Sequence, residues 1–256
     1  MIANYHAHTW RCNHASGTER EYVENAIRRG LEILGFSDHT PYPFPASYHS
    51  GFRMEMEQFP DYCRTVEQLK EEYKGRLQIH LGLEAEYYPA YFSELMVILR
   101  DSPVEYLLLG QHFVGSEVGE HYCGASTSEE AILKRYCHQT CDAMQTGLFT
   151  YLAHPDLIRF TGAEKTYRTH MRLVCREAVS CGMPLEINLL GIYGRRNYPN
   201  PLFWEMAGEE GCAVILGCDT HAAEHLLETA SEEKAAAMAK RFGLTILPKT
   251  TLKNFR

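Results

Sequence analysis

The chain has 256 residues, 45% of them hydrophobic, and a formal charge of −8 from 25 Lys and Arg against 33 Asp and Glu. No apolar run approaches the ~20 residues needed to cross a bilayer, and no block of Lys and Arg is long enough to follow a phosphate backbone. These facts argue against a membrane or long nucleic acid as partner, and the length suits one α/β domain over residues 1–256.

The N-terminus turns polar within a few residues, with no apolar h-region of a secretory signal. The nine cysteines are odd in number and contain no C-x-x-C pair, so they read as reduced, buried thiols. The expected location is the cytoplasm. Along the chain, apolar runs rich in β-branched or aromatic residues at 2–9, 32–36, 78–83, 106–109, 148–153, 185–190 and 213–216 predict seven strands. Helical patterns lie between them. In 19–29, Tyr22, Val23, Ala26 and Ile27 share a face, and in 129–144 Ile132, Leu133, Tyr136, Cys137 and Cys141 do. Thr18 with Glu21 and Thr127 with Glu130 have capping-box spacing, and Gly30, Gly75, Gly147, Gly182, Gly211 and Gly243 follow helical patterns where a left-handed residue is wanted. Strand, helix and glycine in alternation build a parallel sheet, which at this length closes into a barrel. The Pro-rich segment 40–52 is expected as a loop over the barrel mouth.

The strand runs end in YHAH, FSDH, GLEAE, LGQH, LAHP and CDTH, so six of the seven finish in His, Asp or Glu. In a parallel barrel all these ends meet at one mouth. Side chains two apart on a strand share a face, so His6 with His8, Glu84 with Glu86, and Asp219 with His221 each present two groups together. Imidazole and carboxylate ligands without cysteine suit Zn²⁺, Mn²⁺ or Fe²⁺. His6, His8, His14, His39, Glu84, His112, His154, Asp219 and His221 are nine candidates, more than the four that one tetrahedral ion takes, which implies two or three ions. A carboxylate such as Glu84 or Asp219 could bridge two of them and hold a hydroxide. Asp38 faces away from His39 on its strand and reads as a hydrogen-bonding support or a cap, and Glu86 as a supporting or structural carboxylate.

In this order, H-x-H at His6 and His8, His14, S-D-H ending in His39, G-L-E ending in Glu84, G-Q-H ending in His112, A-H-P with His154, and C-D-T-H with Asp219 and His221 resemble the polymerase and histidinol phosphatase (PHP) superfamily, and its histidinol-phosphate phosphatase branch. The resemblance implies a distorted (β/α)7 barrel with a trinuclear centre. His6, His8, Glu84 and Asp219 would hold one ion, Glu84, His112 and His154 a second, and His14, His39 and His221 the third.

It also implies two phosphate-binding arginines. Arg159 lies five residues after His154, and Arg196, preferred to Arg195, follows the strand ending near 190. Their guanidinium forks suit phosphate oxygens. The reaction this resemblance implies is hydrolysis of L-histidinol phosphate to L-histidinol and phosphate, by in-line attack on phosphorus of a hydroxide held between the cations. No covalent phosphoenzyme is expected, since neither G-x-S-x-G nor C-x5-R is present. Among the loop aromatics Tyr42, Phe44, Tyr48, Phe52, Tyr87 and Tyr88, and His121, some could face the substrate. Another phosphate ester or a nucleotide is the alternative substrate, and a metal-binding scaffold without turnover the alternative class. The general acid and the oligomeric state stay open.

Overall fold

The computed structural model describes residues 1–256. Parallel strands β1 (Ala3–Asn4), β2 (Ile33–His39), β3 (Gln78–Ala85) and β4 (Tyr106–Leu109) pair in that order. β5 (Phe113–Val114) and β6 (His121–Tyr122) form a small antiparallel ribbon. β7 (Leu185–Asn188), β8 (Ala213–Gly217) and β9 (Thr245–Ile246) continue the parallel set. Leu152 bridges to both Leu109 and Leu185, and Ala7 bridges to Thr220, so the strands curl until the segment after β1 meets the segment after β8. Eight α-helices intervene: α1 (Glu19–Arg29), α2 (Phe59–Glu72), α3 (Phe92–Arg100), α4 (Glu130–Gln145), α5 (Glu164–Cys181), α6 (Leu189–Tyr193), α7 (Pro201–Glu209) and α8 (Ala230–Arg241).

Several strand expectations need trimming, for local reasons. The 2–9 run pairs regularly only at Ala3–Asn4, because the Asn4 amide replaces the ladder: its Oδ1 accepts from Cys218 N at 2.8 Å and its Nδ2 donates to His6 O at 3.0 Å. The 148–153 run touches its neighbours through Leu152 alone as a formal bridge. The 185–190 run stops at Asn188, whose Oδ1 accepts from Gly191 N at 3.0 Å and starts α6. Thr18 and Glu21 form the expected capping box of α1. Thr127 does not cap α4; it is held in a bridge with Phe160, and its Oγ1 accepts from Glu129 N at 3.1 Å one residue before the helix. The glycines expected at helix ends do take left-handed backbone, with φ from 60° to 82°.

Two apolar layers follow. The larger core fills the space between strands and helices. The smaller, Ala3, Tyr5, Ile33, Tyr106, Leu108, Tyr151, Ala153 and Ile215, comes from strands on all sides and plugs the interior. Tyr106 is its centre: the hydroxyl donates to Tyr5 O at 2.7 Å, and the ring lies where a Cβ on Gly82 would be. All nine cysteines are free, and no helix is long and apolar enough to cross a membrane. Because the plug packs under the site, Tyr106→Ala is expected to lower the unfolding free energy by about 3–5 kcal/mol, read from urea denaturation.

Candidate metal centre

The parallel register sets the site's geometry. β2 and β3 run side by side with His39 opposite Glu84, so the last residue of one strand faces the carboxylate of the next. Glu84 is 1% exposed, and five imidazoles arrive around it from four segments. His154 Nε2 is 2.8 Å and His112 Nε2 3.6 Å from Oε1; His39 Nδ1 is 3.0 Å, His6 Nε2 3.5 Å and His8 Nε2 3.6 Å from Oε2. Asp219 Oδ1 stands on the other side of the same pair, 3.5 Å from His6 Nε2 and 3.1 Å from His8 Nε2. Such crowding needs backbone out of the way. Gly110 supplies the room, since a Cβ there would overlap the Glu84 carboxylate. His154 and Asp219 reach their places from left-handed backbone, φ 28° and 47°, a conformation that costs about 1–3 kcal/mol and persists only when the surroundings impose it.

Behind the imidazoles stands a set of supporting groups. His6 Nδ1 donates to Glu186 Oε1 at 2.8 Å, His112 Nδ1 donates to Glu86 Oε1 at 3.0 Å, and His8 Nδ1 faces Asp38 Oδ1 at 3.4 Å. Each turns the other ring nitrogen toward Glu84 or Asp219, the arrangement by which carboxylates orient metal-binding histidines. Asp38 and Glu86 thus fill the supporting places expected of them. Glu186 and Asn188 were not anticipated. Glu186 also accepts from His154 N at 3.1 Å, and Asn188 Nδ2 donates to Asp219 Oδ2 at 3.0 Å. An acid inside the apolar run LEIN was the available signal.

Further out, His14, His39 and His221 gather as a second group. His14 Nδ1 donates to Cys12 O at 2.7 Å and His221 Nδ1 to Asp219 O at 3.0 Å, and the His14 and His221 rings stack with centroids 4.5 Å apart. One ligand atom per residue, an imidazole nitrogen or a carboxylate oxygen, comes within 4.8 Å of the others in the sets His6, His8 and Asp219; His6, Glu84 and His154; His8, His39 and Glu84; and His14, His39 and His221. His112 joins through its 3.6 Å approach to Glu84. All nine sequence-derived candidates are therefore in one place.

The charges explain what the place needs. Asp38, Glu84, Glu86, Glu117, Glu186 and Asp219 are buried, and the buried guanidinium among them is that of Arg53. Burial opposes ionisation of Glu84, Glu86 and Asp219. Even so, His112 and His6 hold the Glu84 carboxyl, and His6 and His8 the Asp219 carboxyl, well below the usual range. In return, against burial, Glu186, Asp219 and Glu84 hold His6 well above its ordinary value, and Asp219 and Asp38 raise His8 to about 9. Burial lowers His39 and His221, and the positive charge on His8 lowers them further. The cluster is short of positive charge. It also leaves His6 Nε2, His8 Nε2, His39 Nδ1, His221 Nε2 and Glu84 Oε2 buried without a hydrogen-bond partner. Inward-facing ring nitrogens and a carboxylate oxygen with no partner fit divalent transition-metal ions, which on binding would take the place of the protons on His6 and His8.

A cavity of about 400 Å³ opens onto this cluster. Its wall joins the ligand candidates His14, His39, His112, His154, Asp219 and His221 with Phe52, Phe113, Tyr122, Leu157, Arg196 and Tyr198. Of the expected arginines, Arg196 is here, its Nη1 donating to Tyr198 Oη at 2.9 Å. Arg195 is exposed and outside the wall, and so is Arg159, whose backbone is pinned between Cys123 O and Thr127 N while its side chain points to solvent. From the loop aromatics, Phe52 lines the cavity, whereas Tyr42 and Tyr88 are packed in the core.

The family model of the PHP domain matches residues 4–189. The chain belongs to the PHP domain family. It is 30% identical over 229 residues to a probable histidinol-phosphatase of Deinococcus radiodurans, covering 86% of each chain. It is 26% identical over 251 residues to the histidinol-phosphatase of Bacillus subtilis, covering 85% of this chain and 92% of that one. The crystal structure of a Lactococcus lactis histidinol phosphate phosphatase complexed with zinc, L-histidinol and phosphate superposes with a TM-score of 0.76 at 22% identity, over 100% of this chain and 98% of that one.

Gly110→Ala is expected to displace the Glu84 carboxylate while leaving the helices intact. Zinc affinity should fall on the order of 10-fold or more with an unchanged far-ultraviolet dichroism spectrum, as checked by chelator competition.

Proposed function

We propose that this chain is a metal-dependent phosphomonoesterase that hydrolyses L-histidinol phosphate to L-histidinol and phosphate. The observation that carries the reading is the buried Glu84 carboxylate with imidazoles converging on it, beside a cavity also lined by Arg196 and aromatic rings. The names of the relatives support the substrate. In fold, the proposal is the (β/α)7 barrel in a single domain over 1–256, counting β1 to β4, the segment around Leu152, β7 and β8, supported by the Leu152 and Ala7 bridges. Free cysteines throughout fit a reducing compartment, the cytoplasm.

His6, His8, Glu84 and Asp219 would hold one ion, Glu84, His112 and His154 a second, and His14, His39 and His221 a third, with zinc, manganese or iron all compatible with the ligand set. When bound, such ions supply Lewis acidity toward phosphoryl oxygens and lower the pKa of water. The protein's own part is to position. Glu84 and Asp219, ionised in place, bridge the ligand groups. Arg196, steadied by the Tyr198 hydroxyl, offers guanidinium N–H donors to the phosphate's outer oxygens, where charge stays high as the ester bond breaks. Phe52, Phe113, Tyr122 and Leu157 cover the organic part of the ester and keep bulk water from the reacting bond. No long polyanion or membrane enters the reading.

The test is a panel of phosphate esters assayed with zinc-loaded and manganese-loaded protein. Histidinol phosphate should have a kcat/KM far above that of p-nitrophenyl phosphate; equal values, or a nucleotide as the best substrate, would move the activity to another ester. Arg196→Ala should lower kcat/KM by about 30- to 150-fold, equivalent to about 2–3 kcal/mol, the scale of a charged hydrogen bond. Arg159→Ala, at an exposed site outside the cavity, should change it by less than about threefold.

A further inference from the structure

Beneath the mouth lies a charged cluster that neither the ligand assignment nor the phosphate-binding arginine accounts for. Arg53 is 1% exposed and ends the segment that covers the cavity. Its guanidinium grips Glu86 with both terminal nitrogens, Nη2 to Oε1 at 2.9 Å and Nη1 to Oε2 at 3.2 Å. Nη1 also donates to Thr40 O at 2.7 Å and Nε to Glu117 Oε2 at 2.7 Å, while Tyr48 Oη donates to the other oxygen of Glu117 at 3.0 Å. The flat face stacks on Phe52, 4.4 Å from its centroid, and on Tyr42 at 5.2 Å. The Arg53 carbonyl accepts from Asn13 Nδ2 at 3.1 Å, beside His14.

We propose that Arg53 is a positioning residue for the metal centre: through Glu86 it fixes the His112 ring with Nε2 toward Glu84, and through Glu117 it ties the two segments that wall the cavity, 40–53 and 113–121. The proposal rests on the metal reading above and adds a residue to it. Glu86 Oε1 is the shared atom, accepting from Arg53 Nη2 and from His112 Nδ1 at once. That second bond sets the tautomer that leaves Nε2 as a lone pair. Without the guanidinium, two carboxylates would be buried with no compensating cation. The Glu86 carboxylate would lose the two donors that fix it, and the Nδ1–H of His112 would no longer meet an acceptor held in place. Phe52, next in the chain, would lose the flat surface it lies on, 5.7 Å from the His112 ring and 4.9 Å from that of His39.

Lysine keeps the charge but not the fork, so Arg53→Lys separates orientation from simple neutralisation. Zinc binding to the full chain is measured by competition with a chromophoric chelator, alongside kcat and KM for histidinol phosphate and the thermal midpoint. The proposal expects Arg53→Lys to fold, to bind its weakest zinc equivalent about 10- to 100-fold less tightly than the parent, and to lose kcat. Parent-like zinc affinity and kcat in a folded Arg53→Lys protein would overturn it while leaving the metal reading intact. A parent chain that binds no zinc would overturn both. Should Arg53→Lys fail to fold, Glu86→Gln carries the same test: the amide must divide its one oxygen between Arg53 and His112, the same zinc equivalent should weaken, and unchanged binding there refutes the route through Glu86.

Discussion

A carboxylate that is 1% exposed, with five imidazoles from four segments within 3.6 Å, is the constraint on which this molecule is built. Glu84 could not be buried alone, because removing an ion from water costs several kcal/mol unless charge and hydrogen bonds replace the solvent. The surrounding histidines meet that need in part. They are themselves held by Glu186, Asp38 and Glu86, which adds negative charge one layer out. The deficit of positive charge passes inward and ends at unpartnered nitrogens facing one another across a small space. Bound divalent metal would satisfy both layers.

The scaffold serves this by bringing strand ends together and keeping bulk away from them. Parallel pairing in register sets His39 opposite Glu84, the Asn4 amide stitches the first strand to the segment after the last long one, and Gly110 leaves the Glu84 carboxylate its space. The tyrosine plug below gives the cluster a rigid floor, so charged groups are supported by packed rings rather than by mobile loops. Above it, Arg53 couples the position of His112 to the fold of the mouth segments, joining ligand geometry and cavity shape in one buried cluster.

Much of this was legible along the chain because it depends on strand ends. Recurrent His, Asp and Glu after apolar runs mark where strands finish, and a parallel sheet puts all those finishes on one side, so His6 through His221 were found together before any coordinates. The two-residue spacing was also informative: Glu84 takes the centre and Glu86, on the same face, supports His112. What escaped depends on contacts between segments far apart in sequence. Arg53 and Glu117 carry no motif, and their partnership arises only when two loops fold against each other. Phe113, Tyr122 and Tyr198 enter the cavity from a short ribbon and an irregular turn that periodicity does not mark. Arg159 lies near a ligand in sequence, and in the fold its side chain is exposed while Leu157, two residues before it, lines the cavity.

The most direct measurement is anomalous diffraction at the zinc edge from crystals of the zinc-soaked protein. The account predicts at least two strong peaks clustered between Glu84, Asp219 and the converging imidazoles, with Glu84 or Asp219 touching more than one of them. Peaks confined to surface histidines, or a single ion that leaves Glu84 unbound, would contradict it.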